Sequence, residues 1–146
     1  MIVGLLFHSL AAVVWVGGMF FAHQVLRPAA GPLDPAVRLP LWERVLGRFF
    51  LWVWACVILL LASGYGMFAA GVRGIYVDIM QTIGIIMMLI FAHLYFAPWK
   101  RFRRAVAAGN FPDAAAQLAQ IRKIVGINLV LGLIVVIIGA TGPYWG

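Results

Sequence analysis

Four long apolar runs decide what this chain can fold into: about Ile2–Leu26, Phe49–Ala70, Ile75–Ala97 and Ile124–Thr141. Each reaches or approaches the ~20 residues a helix needs to cross ~30 Å of hydrocarbon. Arg27-Pro28, Gly71, Pro98 and Gly142-Pro143 end them, and these are ordinary helix stops. The chain is 65% hydrophobic and 10% charged, with a mean hydropathy of +1.04. A soluble domain of 146 residues could not hide so much apolar surface, so lipid is the expected solvent. Lipid leaves backbone groups unsatisfied, which restricts spanning structures to helices or a closed barrel. Barrel strands alternate apolar and polar residues, whereas these runs are apolar all round. The sequence therefore predicts an all-α integral membrane protein, a single four-transmembrane-helix domain over residues 1–146. The first run lacks a basic n-region and is longer than the apolar core of a signal peptide, so it is expected in the mature protein.

The net charge of +7 does not point to nucleic acid, because the basic residues cluster in two loops. Arg27, Arg38, Arg44 and Arg48 fall between spans one and two. Lys100, Arg101, Arg103, Arg104, Arg122 and Lys123 fall between spans three and four, against Arg73 alone in the loop between. The positive-inside rule places the basic loops in the cytoplasm and both termini outside. Two amphipathic stretches in these loops, with Val37, Leu41 and Val45 on one side of the first and Leu118 and Ile121 in the second, are expected to rest on the headgroups. Trp42 and Trp99 suit the boundary, and the basic surface would attract anionic lipid. The lone cysteine, Cys56, excludes an intrachain disulfide and a two-cysteine zinc site, and reads as a small buried apolar residue.

Ionisable groups at membrane depth are expensive and usually face a bundle interior. Three histidines, His8, His23 and His93, lie within the runs, and imidazole is a common ligand of metals and haem iron. On a helix His8, Trp15, Met19 and His23 form one stripe, His8 and His23 differing by about 60° in phase. Those two lie about 22 Å apart along the axis, too far to share one iron. His23 and His93 sit at similar depth near the cytoplasmic ends of spans one and three. Such a pair on facing helices would give bis-imidazole ligation of a b-type haem. Asn128 enters at much the same level and would hydrogen-bond an imidazole or a propionate; Arg27, Arg48 or Lys100 would pair with propionates. In the outer half His8 is accompanied by Met67, Met80 and Gln81, a setting for His/Met ligation of haem or of copper(I). Against these stand plainer readings: wet interfacial histidines for His23 and His93, and packing for Met87-Met88. The span glycines allow close helix approach or leave room for a flat cofactor.

The segment from Leu6 through His8, Trp15 and Gly18 to Phe20 resembles the opening helix of the CopD copper-resistance membrane family, in which a His is followed seven residues later by Trp and then Gly. The Arg-Phe-Phe-Leu-Trp-Val-Trp segment starting at Arg48, the Ser63-Gly64 pair and the basic stretch after span three also resemble that family. The resemblance implies copper handling in a bacterial inner membrane, and carries a role over to His8. The same His–Trp–Gly pattern occurs in the related HemJ-type protoporphyrinogen oxidases, haem-containing membrane proteins that carry a Lys near the start of span three. This chain has Tyr76-Val-Asp-Ile-Met-Gln there, a departure that argues against protoporphyrinogen oxidation.

Three readings follow. The residues favour a haem b membrane protein moving electrons between a quinol and a redox partner. The alternative is a copper(I) carrier using His8 with Met67 and Met80. The third is a non-catalytic scaffold subunit. Four spans are compatible with a homodimer in each.

Overall fold

A computed structural model describes the whole chain, residues 1–146. It is helical throughout: α1 (Ile2–Ala30), α2 (Pro35–Ala69), α3 (Ile75–Phe96), α4 (Pro98–Ala107) and α5 (Phe111–Thr141), followed by a short 3-10 turn at Gly142–Tyr144. Four of its helical stretches are long and apolar enough to cross a membrane, as expected. Only 28 residues are buried, so most apolar side chains are at least partly open to the outside, where lipid would meet them.

The helices run further at the basic end than the apolar runs alone suggest. The amphipathic stretch from Pro35 and span two form one continuous helix. The reason is a single buried stripe, Leu39, Trp42, Leu46, Phe50, Val53 and Val57, at steps of three and four residues. Val37 lies outside that stripe and is exposed, while Leu39 is fully buried. In the same way Ala114, Leu118, Ile121, Val125 and Leu129 carry span four back to Phe111. Leu118 and Ile121 are therefore core residues of the bundle, where the sequence predicted a helix lying on headgroups. The Asn110 side chain caps this helix by accepting from the Asp113 N–H at 3.3 Å.

Prolines shape the remaining ends. Pro28 has no N–H to give Gln24, and the preceding turn, Phe21–Leu26, widens into a π-helix in which the Arg27 N–H reaches Ala22 O. Pro98 bends the chain out of α3 at Ala97, and α4 turns Trp99, Phe102 and Ala105 inward.

α1 packs on α2, and α3 packs on α5, while the backbones of α2 and α3 stay apart although a tight turn joins them. That turn uses Gly71 and Gly74 at φ +94° and +150°. Toward the basic end aromatic rings fill the gap between α2 and α3. Phe50 meets Trp99 edge-on at 5.0 Å, and Trp54 meets Phe91 at 5.0 Å and Tyr95 at 5.4 Å. Toward the end that carries the termini no such filling exists, and the bundle opens.

Candidate functional site

The opening is a cavity of about 560 Å³ walled by all four spans. His8 of α1, Met67 of α2, Met80 and Gln81 of α3 and Gly139 of α5 all line it. Trp15, Val16 and Met87 form its floor, where it meets the packed part of the bundle. The outer-half group predicted around His8, namely Met67, Met80 and Gln81, is thus gathered in one place. Tyr65, Met88 and Ser9 join the lining.

His8 is oriented by Ser63, which the sequence offered only as part of a family motif. Ser63 Oγ lies 3.0 Å from His8 Nδ1 and 2.5 Å from the Leu59 carbonyl oxygen one turn back. A hydroxyl has one proton, and the carbonyl can only accept, so that proton goes to Leu59 O. Toward the imidazole Ser63 then accepts, and Nδ1–H donates. The proton held on Nδ1 leaves the Nε2 lone pair free for a ligand. Gly64 keeps the ring in place by absence: a Cβ there would meet His8 Cε1 at 3.3 Å.

The thioethers are seated by glycines. Met67 lies one turn beyond Ser63 on α2 and rests against Gly4 of α1, where a Cβ would meet its Cγ at 3.1 Å. Met80 rests against Gly139 of α5, its sulfur 3.5 Å from where a Cβ would stand. Gly84 faces open space. Nowhere does the chain gather three His, Cys, Asp or Glu side chains that could hold a metal. The available donors are one imidazole and polarisable thioethers, a set suited to copper(I) and unsuited to zinc or hard cations.

The other predicted residues go elsewhere. His23 lines a separate polar pocket at the basic end with Arg27, Arg122 and Lys123. His93 is exposed on α3 and does not line the pocket that holds His23. α1 and α3 meet through side chains, Trp15 standing edge-on to Phe91 at 6.2 Å, while the main packing partner of α3 is α5. The surroundings of the two imidazoles differ: His23 packs over Gly126 of α5, whereas His93 stands on the exposed side of α3. Asn128 is buried and donates from Nδ2 to the Met87 carbonyl oxygen at 3.2 Å, tying α5 to α3. Arg48 is exposed on α2. Trp15 and Met19 are buried, so the stripe on α1 does face inward. Cys56 is free and buried.

Residues 43–141 match the family model described as Copper resistance protein D. Comparison with curated proteins and with solved structures gives no match.

Proposed function

The chain belongs to the copper resistance protein D family, and from that premise we propose that it binds copper(I) in the cavity between its four spans and passes it through the membrane. One observation carries the reading: the His8 imidazole, held at Nδ1 by Ser63, shares a single cavity with the thioethers of Met67 and Met80. Copper(I) accepts two or three soft ligands, and this set supplies them without a charged group in the membrane. Ser63 fixes the imidazole, as outer hydrogen bonds fix metal-bound histidines generally. In this reading the basic loops are cytoplasmic and the cavity opens to the outer face. The ion enters there, and the aromatic packing between α2 and α3 closes the way onward until the spans move.

The test is a copper(I) titration of detergent-purified protein against a chromophoric chelator. Wild type should take up about one ion per chain. Met67→Leu and Met80→Leu together should weaken uptake by at least about tenfold, since each removes a soft donor while conserving volume. Unchanged affinity in the double variant would reject the thioether site.

A second reading rests on the shape of the same cavity. Its apolar volume, with Gly84 facing open space, leaves room for a flat macrocycle. His8 with Met67 or Met80 would hold a b-type haem there, and the haem would supply electron transfer between a quinol and a partner. A Soret band that disappears in His8→Ala would favour this reading over copper.

A further inference from the structure

The polar pocket at the basic end is built unlike the rest of the chain. It has a volume of about 290 Å³ and is lined by His23, Arg27, Ala119, Arg122, Lys123 and Gly126. Four of those six residues carry side-chain nitrogen donors. Gln24 Nε2 donates to His23 Nδ1 at 3.3 Å, so the neutral ring carries its proton on Nε2 and is a donor there. That Nε2 lies over Gly126, where a Cβ would meet it at 3.0 Å.

No carboxylate answers these cations. The ion pair in the structure is Arg103 with Glu43, at 3.8 Å, and it involves none of the lining residues. The charges acting on the Arg122 guanidinium are Arg27 and Arg38, both of its own sign. Arg122 is half-buried, stacked 5.5 Å over the Trp42 ring, and its Nε is buried without a hydrogen-bond partner, as is that of Arg38. Basic residues that merely report membrane orientation point into water and spread apart. These converge on a concave pocket from α1 and α5, and the half-buried Arg122 guanidinium leaves its Nε–H unmet.

We infer that this pocket binds the phosphate group of an anionic ligand, with Arg122 as the oriented fork and Arg27, Lys123 and His23 around it. Guanidinium geometry matches phosphate oxygens in pairs, and ammonium adds a point charge. Basic pockets between membrane helices take the headgroups of anionic lipids, and free phosphate has the same chemistry. Binding would join α1 to α5 beside the π-helical turn of α1.

The test uses full-length detergent-purified protein and two probes, with Arg27→Gln and Arg122→Gln as variants. Arg101→Gln serves as a control of equal charge away from the pocket. Native mass spectrometry measures retention of phosphatidylglycerol against phosphatidylcholine. Thermal melting compares inorganic phosphate with chloride at equal ionic strength. A lipid source predicts phosphatidylglycerol retained over phosphatidylcholine, with the preference falling about fivefold or more in each pocket variant and little in the control. A free-phosphate source predicts no lipid preference but a rise in melting temperature with phosphate, absent in the pocket variants. Because Arg27 is exposed, its variant keeps the test valid if Arg122→Gln does not fold. Pocket variants indistinguishable from Arg101→Gln with both probes would overturn the proposal. Copper(I) affinity is not an arm of this test, so the two proposals stand or fall separately.

Discussion

The two ends of this bundle are held together in different ways. At the basic end Leu39, Trp42, Trp99, Phe102, Leu118 and Ile121 interlock from α2, α4 and α5, each 3% exposed or less. Much of that core lies where helices emerge toward water and headgroups, so burial there draws on the hydrophobic effect. At the terminal end lipid is as apolar as the side chains, so close packing, small residues and interhelical hydrogen bonds such as His8–Ser63 hold the helices together. That end has Gly4, Gly64, Gly132 and Gly139 in contact with neighbouring side chains, and it encloses the cavity. The rigid end sets the frame, and the open end has room for chemistry.

The largest break in that contrast should come from Phe102→Ala. Phe102 is fully buried, and losing a buried aromatic ring costs about 3–5 kcal/mol. Thermal or denaturant unfolding in detergent should show it, and a loss below about 1 kcal/mol would mean that this end is not a packed core. Ser63→Ala comes next. It should weaken copper(I) binding about 10- to 100-fold, the usual effect of removing a ligand's outer hydrogen bond, with little change in melting temperature. Gly132→Ala probes the floor of the cavity. The added methyl would sit 2.9 Å from Val16 Cγ2 and 3.2 Å from Met87 Cε, and overpacking of this kind costs about 1–3 kcal/mol. Gly84→Ala is its counterpart, since nothing lies within 4 Å of the new carbon. It should be neutral or stabilise the helix by up to about 1 kcal/mol. The smallest effect belongs to His93→Ala, which should leave copper(I) binding unchanged; a loss equal to that of His8→Ala would move the site to the other end.

Most of the fold is legible in the runs themselves, since a stretch like Ile124–Thr141 has few alternatives to a spanning helix. The boundaries at the basic end were also readable, but from a different signal. Leu39, Trp42, Leu46 and Phe50 keep helical spacing straight through Arg44 and Arg48, and charged residues on the outer face do not interrupt such a stripe. Met67, Met80 and Gln81 share the depth of His8, and the open end places all four on the wall of one cavity. Depth does not decide the relation of His23 to His93. Whether two side chains meet also depends on helix phase and on which helices are neighbours, and neighbour order comes from packing between helices far apart in sequence. Ser63 was hidden for a similar reason: its role depends on standing opposite His8 across the α1–α2 interface, 55 positions away in the chain.

X-ray absorption at the copper edge of the copper(I)-loaded protein tests the proposed site most directly, because it reads the ligand atoms themselves. The account predicts one imidazole nitrogen with thioether sulfur around the ion, and loss of the nitrogen signal in His8→Ala. A shell without sulfur, or a nitrogen signal that survives His8→Ala, would contradict it.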